Sequence, residues 1–391
     1  MKSTRTILFW AHLVVGVAGG LVIMIMSATG VLLTYEKQML EWADRRSWTA
    51  PSSVEAQHLS PETLLANVMQ AQPGAAPTSL VLRADPAAPA TVTLDGGAPV
   101  LVDPYTGVVI GRTSSRLRTF FRTVTVWHRF LALEGANRAT GRLVTGAANL
   151  GFLFIVLSGL YLWMPKVWGA VQVRNALWFR TGLPGKARDF NWHNVIGFWS
   201  ALPLAVVVAG AVPISFPWAS NLVYRLVGDA PPRPGGPGRD QTEGDGLAVH
   251  DPAARFVGVN AAWSQAARES ASWRTITLRL ARAPEAPFVF AVDSGYGGQP
   301  QKRVTVTVNR ASAAIEKREA FDDLTPGRRL RSWLRFAHTG EIYGLPGQTV
   351  AGLVSAGAVV LVYTGLALAF RRFTAWLVRS RARPPAISRA T

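Results

Sequence analysis

The chain carries six histidines and no cysteine, and four of the histidines form a pattern. His12 follows Trp10-Ala11 and precedes Gly16; His193 follows Trp192 and precedes Gly197. His128 lies in Val126-Trp127-His128-Arg129 and His338 in Phe336-Ala337-His338-Thr339, each before a long apolar run. If two halves of the chain pack about a pseudo-two-fold axis, His12 faces His193 and His128 faces His338. Facing neutral imidazoles among apolar helices suit the two axial positions of b-type haem iron. The apolar segments hold no carboxylate, so an oxygen-rich metal site lacks ligands. Without cysteine there are no thiolate sites, Fe–S clusters or covalently attached haem.

The expected site is therefore two bis-histidine haems, with His12, His193, His128 and His338 as iron ligands and no catalytic side chain beyond the haem. Gly16 and Gly197 each stand one helical turn after their histidine, on the same face, where a missing side chain lets a flat porphyrin approach the backbone. Arg5, Lys186 and Arg188 near one pair, and Arg122, Arg129 and Arg335 near the other, are candidate partners for haem propionates. A single histidine at a membrane interface is as readily an interfacial polar group, but four related by an internal repeat are not explained that way. His58 and His250 lack such symmetry and read as solvated surface residues.

What positions these residues follows from composition. Of 391 residues, 49% are hydrophobic and only 16% charged, yet the formal net charge is +18. A soluble domain carries about a quarter charged residues. Four stretches near 7–33, 146–164, 195–218 and 350–370 contain no Asp, Glu, Lys or Arg. Each is near or above the roughly 20 residues needed to cross a hydrocarbon core. The first is too long for the apolar part of a signal peptide and reads as an uncleaved helix. Pro203, Pro213 and Pro217 should kink or end the third. Two thirds of the net charge lies in three short segments, 1–6, 165–190 and 371–391. The excess of Lys and Arg in short cytoplasmic loops places both termini inside. The long loops then lie outside, and the absence of cysteine suggests a bacterial inner membrane facing a periplasm. The basic charge is thus a membrane signature, with no nucleic-acid partner.

The fold expected is a membrane protein, an all-α four-helix transmembrane bundle from two repeated halves, with two small α+β periplasmic modules. The divisions are a first helix at 7–33, module one at 34–127, and a periplasmic-side helix with transmembrane helix two at 128–164. A basic cytoplasmic loop at 165–190 leads to helix three at 192–218, and a linker with module two fills 219–337. A periplasmic-side helix with transmembrane helix four follows at 338–370, then a basic tail at 371–391. In module one, Ser60-Pro61-Glu62 starts a helix, and alternating strands follow at 78–83, 90–94 and 100–103. Asp103-Pro104-Tyr105-Thr106-Gly107 makes a turn, after which 108–110 resumes a strand. Module two opens on a Gly/Pro-rich linker at 228–246, then a helix at 261–269 and strands at 275–280, 288–292 and 303–309. The halves repeat: Gly141-x-x-Val144-x-Gly146 matches Gly347-x-x-Val350-x-Gly352, and Gly159-Leu160 matches Gly365-Leu366.

The four helices with their histidines, the Asp103–Gly107 turn after the Ser60-Pro61-Glu62 helix, and Ala337-His338-Thr339-Gly340 together resemble the PepSY-associated transmembrane family. That group of iron-regulated inner-membrane proteins includes ferric-siderophore reductases of the ferrioxamine-reductase type. The resemblance covers nearly the whole chain except the linker. It implies a di-haem b enzyme that passes electrons to a ferric siderophore in the periplasm. The family's histidines fall on His12, His128, His193 and His338. Asn309-Arg310-Ala311-Ser312-Ala313 departs from the family's turn by lacking Asp-Pro and Gly. No nucleotide fingerprint is present, so the donor is expected to be a separate cytoplasmic flavin or NAD(P)H reductase, or membrane quinol. The rival readings are a haem or iron-chelate transporter and a periplasmic peptide-binding or regulatory membrane protein. The first expects polar groups along a path at mid-depth; the second leaves the paired histidines unexplained.

Overall fold

The computed structural model describes residues 2–46, 57–96, 99–113, 115–164, 169–232, 255–281, 283 and 285–381. Most of the 228–246 linker, His250 and the end of the basic tail lie outside the described residues. Four helices are long and apolar enough to cross a membrane. They are α1 (Lys2–Leu33), α5 (Arg138–Trp163), α7 (Gly185–Ser215) and α11 (Gly344–Arg381). α1 packs on α5 and α11, and α7 packs on the same two, so α1 and α7 stand diagonally across a four-helix ring.

The third span is longer than its uncharged core. α7 begins at Gly185 and carries Pro203 and Pro213 inside it. Pro217 does not kink this helix but starts another, α8 (Pro217–Leu226). With no N–H, Pro217 leaves the Pro213 carbonyl without its helical partner. The Arg331 guanidinium donates to that oxygen at 3.1 Å. At the far end of the ring from the sheet, a short helix α6 (Ala170–Leu177) is pinned to α7 by Asn191, which bonds the backbone of Trp178 and Arg180.

The loops between spans fold into a sheet and its covering helices. After α1, α2 (Glu36–Arg46) and α3 (Pro61–Ala71) precede β1 (Pro77–Arg83), β2 (Ala90–Leu94), β3 (Val100–Val102) and β4 (Val109–Arg112). Ser60 caps α3 by accepting from the Thr63 N–H at 3.3 Å, with Pro61 in the first turn. The second copy is α9 (Val259–Arg268), β5 (Thr275–Arg279), β6 (Phe288–Asp293), β7 (Arg303–Val308) and β8 (Ile315–Ala320). The two modules are not separate. Their first strands pair antiparallel, Leu80 opposite Leu278, making one eight-stranded sheet of order β4-β3-β2-β1-β5-β6-β7-β8. Each module alone would expose β1 or β5 as an unpaired edge, and joining them removes both edges.

One core results. Leu64, Leu65 and Val68 of α3 and Val259, Ala262 and Ala266 of α9 cover a common apolar face that includes Leu80, Val92, Leu278, Phe290 and Val306. The two helices also clasp each other reciprocally: the Asn260 N–H donates to the Glu62 carboxylate at 3.0 Å and the Glu62 N–H to the Asn260 side-chain oxygen at 3.1 Å.

The turns hide a likeness that their sequences do not show. The Asp103 carboxylate accepts from the N–H groups of Tyr105 (2.8 Å) and Thr106 (3.2 Å). The Asn309 side-chain oxygen accepts from Ala311 and Ser312, both at 3.0 Å. Gly107 then takes a φ of 73°, and Ala313 takes 54° in the corresponding place. A left-handed alanine costs roughly 1–2 kcal/mol. Ala313→Gly is therefore expected to stabilise the sheet by about 0.5–1 kcal/mol once the glycine's greater unfolded-state entropy is subtracted. A chemical-denaturation midpoint measures it, and an unchanged or lower midpoint contradicts it.

Two amphipathic helices link the sheet to the ring: α4 (Ser115–Phe130) and α10 (Pro326–His338). Here the expected divisions at 128 and 338 move. His128 and His338 stand near the ends of these helices rather than at the starts of the spanning ones. The chain breaks after them, with Leu131 and Ala132 at φ of 51° and 59° and Gly340 at 73°, before the spanning helices begin.

Candidate functional site

The four repeated histidines converge as two pairs. His128 and His338 meet at the sheet-side end of the ring, their ring centroids 6.2 Å apart and their planes inclined by 42°. His12 on α1 and His193 on α7 occupy diagonal helices at the other end of the ring. All four side chains are half-buried.

Every one of these imidazoles is held through Nδ1. His128 Nδ1 lies 3.0 Å from the Met26 carbonyl and 3.0 Å from Thr29 Oγ1; His338 Nδ1 lies 2.8 Å from the Val207 carbonyl. Met26 and Val207 are separated in sequence by the same offset as His12 and His193, so the repeat reproduces the acceptor as well as the histidine. His12 Nδ1 sits 2.9 Å from Ser158 Oγ, and His193 Nδ1 sits 2.9 Å from Thr364 Oγ1. These hydroxyls donate onward to their own helix carbonyls, Ser158 to Ile155 at 3.3 Å and Thr364 to Val360 at 2.8 Å. A hydroxyl whose proton is committed elsewhere accepts from the ring, as does a carbonyl. Nδ1 is thus the protonated nitrogen in all four, and Nε2 is left with a free lone pair and no hydrogen bond among the described residues. A hydrogen bond from the far ring nitrogen that fixes the tautomer and the ring orientation is the usual support of a metal-ligating histidine.

Glycines bring these partners close. A Cβ on Gly159 would lie 3.2 Å from His12, and one on Gly365 would lie 3.3 Å from His193. A Cβ on Gly210 would lie 2.5 Å from the Leu334 carbonyl and 3.2 Å from His338, so only glycine lets α10 dock this tightly on α7. Gly16 and Gly197 do not touch the histidines: a Cβ there would meet Ile155 at 3.9 Å and Leu361 at 3.6 Å, ordinary contacts. Serine, threonine and the carbonyl acceptors escaped the sequence reading. Ser158 and Thr364 stand immediately before the repeated Gly159 and Gly365, which was the available signal.

The expected cationic partners divide. Arg5 is already engaged, donating to the Leu162 and Met164 carbonyls at 2.6 and 3.0 Å at the end of α5. Arg188 pairs with the buried Asp189 at 3.1 Å, which also meets Arg371 at 2.9 Å. Arg129 and Arg335 flank the sheet-side pair, beside the rings of Phe130 (5.2 Å) and Phe336 (5.7 Å). Neither forms an ion pair among the described residues. Arg122 and Lys186 are exposed, as is His58, whose ring packs edge-on against Tyr105 at 4.8 Å.

The helix that ends at His338 is also tied to the sheet. Arg328 of α10 grips Glu319 of β8 with two hydrogen bonds, 2.7 and 3.2 Å. Bonding from Arg328 holds the Glu319 carboxyl below its ordinary range; partial burial opposes this and Lys317 adds to it. Because the folded-state value is depressed, the contribution is present above the unfolded value near 4.3. It is lost as pH falls through the folded value. Glu319→Gln is expected to cost up to about 1 kcal/mol at neutral pH, since both groups remain partly exposed. That difference should vanish in acid, as melting curves of both proteins against pH would show; a difference independent of pH contradicts the pairing.

Among the described residues no group of three or more His, Asp or Glu side chains could hold a metal ion. An ion bound by protein alone would have only two histidine ligands at either end, whereas a macrocycle supplies its own four.

A four-helix membrane ring with two histidine pairs and a shared external sheet defines the class. The family described as the PepSY-associated TM region matches residues 9–372, and the chain belongs to that family. No curated protein matches the chain.

Proposed function

We propose that this protein is a di-haem b reductase of the bacterial inner membrane that delivers electrons to Fe(III) in a ferric siderophore on its sheet side. The observation that carries the reading is the spacing of His128 and His338. A metal held on opposite sides by two imidazole nitrogens at about 2.0–2.1 Å places the ring centres about 6.3 Å apart. The ring centroids of His128 and His338 stand 6.2 Å apart.

In this reading His128 and His338 would hold one haem iron through Nε2, with the Met26 and Val207 carbonyls keeping Nδ1 protonated and the rings fixed. His12 and His193 would hold the other, oriented by Ser158 and Thr364. Arg129 and Arg335 offer cations to the propionates at the sheet-side centre. Haem held in this way supplies a one-electron carrier near each face of the membrane. The basic ends of the chain lie in the cytoplasm by the positive-inside rule, which puts the sheet in the periplasm. The described residues on the cytoplasmic side form only α6, its connections and the helix ends. A separate flavin or NAD(P)H reductase, or quinol, therefore provides the electrons.

The test is to reduce the purified protein, remove excess reductant, and add a ferric trihydroxamate with an Fe(II)-trapping dye. The reduced α and Soret bands should decay as trapped Fe(II) appears, one iron per electron. Bands that persist with no Fe(II) formed would overturn the assignment of substrate.

A further inference from the structure

The corner between each amphipathic helix and the following span is built twice on one plan. In the first half Gly141 of α5 packs so closely on the Phe130 carbonyl that any side chain would clash; in the second, Gly347 packs in the same way on the Gly340 carbonyl. In the register that aligns these glycines, Arg138 and Arg142 correspond to Gly344 and Gln348. Gln348 is buried and closes the second corner by donating to the Thr34 carbonyl at 3.0 Å and accepting from Gln38 at 2.8 Å. The corner therefore needs no arginine to fold.

The first corner nonetheless gathers cations. The guanidinium groups of Arg138, Arg129 and Arg142 lie 4.3, 5.2 and 5.8 Å from the Phe130 ring centroid. None of the three forms an ion pair among the described residues, and Glu134, the nearest acid in sequence, pairs with none of them. The first turn of α5 has no acidic residue. It is also the positive end of the helix dipole, where added cations are unfavourable. Positive charge repeated at such a place is stabilised by an anion.

The surroundings indicate which anion. Leu143 and Val144, beside Arg142, are 62% and 38% exposed, and Trp127 and Phe120 of α4 are 43% and 46% exposed. The cluster thus sits where a spanning helix begins, between a lipid-facing apolar surface and exposed aromatic rings of the kind found at membrane interfaces. A ligand with phosphate and acyl chains matches both parts. We propose that the corner between α4 and α5 is a binding site for an anionic phospholipid, its phosphate held by Arg138 and Arg142 and its chains against Leu143 and Val144. The site does not depend on the haem reading and exists in one half of the repeat only.

Native mass spectrometry of the full chain from nanodiscs mixing phosphatidylglycerol and phosphatidylcholine tests this. The parent protein should retain phosphatidylglycerol after phosphatidylcholine has been stripped. The double variant Arg138→Ala, Arg142→Gln, which imposes uncharged residues as in the second corner, should bind it on the order of tenfold more weakly. Arg138→Lys with Arg142→Lys should keep most of the binding, and Arg225→Gln, outside the cluster, all of it. The headgroup comparison on the parent protein stands even if a variant fails to fold. Equal retention of both lipids, or undiminished retention by a folded double variant, overturns the proposal. So does displacement of the lipid by inorganic phosphate, which would mark a soluble-anion site. Loss of haem without loss of lipid would assign the arginines to the cofactor instead.

Discussion

Replacing His338 with alanine is expected to remove the sheet-side haem, about half of the protein's haem absorbance, while the ring and sheet stay folded. The proposed ligand is lost outright, because among the described residues no third histidine stands at that pair, and the chain has no cysteine. The structural cost is smaller. His338 contributes one hydrogen bond, to the Val207 carbonyl, and that oxygen lies within α7, one helical turn before Ala211. α10 stays anchored by Arg331 on Ser220 and Pro213 and by Arg328 on Glu319. His128→Ala should give the same spectrum, since either loss leaves a single axial nitrogen. His12→Ala or His193→Ala should remove the other half of the absorbance. Haem content per chain with a visible spectrum for each variant measures this, and full haem content in His338→Ala contradicts the pairing.

The second large effect concerns the sheet. Leu278→Ala is expected to destabilise the external domain by about 2–5 kcal/mol, and to do so in both modules at once. Leu278 is fully buried and faces Leu80 across the seam between β1 and β5, within the core shared by α3 and α9. A cavity there removes contacts from both halves. Hydrogen exchange should speed up in β2 as well as in β7. Faster exchange confined to the second module would mean that the modules are independent folding units, as the sequence alone suggested.

That contrast shows what a sequence can and cannot carry. The spans at 7–33, 146–164, 195–218 and 350–370 were legible because a membrane tolerates no charge along them; each overlies a spanning helix, the third running past the end of α7 at Ser215 into α8. The strands at 78–83, 90–94, 275–280 and 288–292 were legible from alternation, and Ser60 from its capping position. The histidine pairs were legible because two halves in register place equivalent residues face to face. The seam between β1 and β5 was not, because nothing local records which edge an edge strand will meet. β8 was missed because its exposed run, Ile315–Ala320, carries four charged side chains in place of an apolar face. The extents of α4 and α10 were missed for a different reason. Their arginine-rich faces masked an apolar stripe at Phe121, Val124 and His128 that has helical spacing. Fixing the imidazoles falls partly to backbone carbonyls, which no side-chain pattern can reveal.

The same features bear on the rival readings. Polar groups do enter the ring, but they serve it: Asn149 donates to the Val208 carbonyl at 3.1 Å, and Ser158 and Thr364 hold histidines.

The most direct test of the central claim is a dithionite-reduced minus oxidised spectrum of the purified chain, with haem quantified per polypeptide. Two b-type haems per chain are expected, with α and Soret bands that fall by half in His338→Ala, fall by half in His12→Ala, and disappear when both are replaced. A chain that binds no haem, or bands unchanged in the doubly substituted protein, would contradict the account.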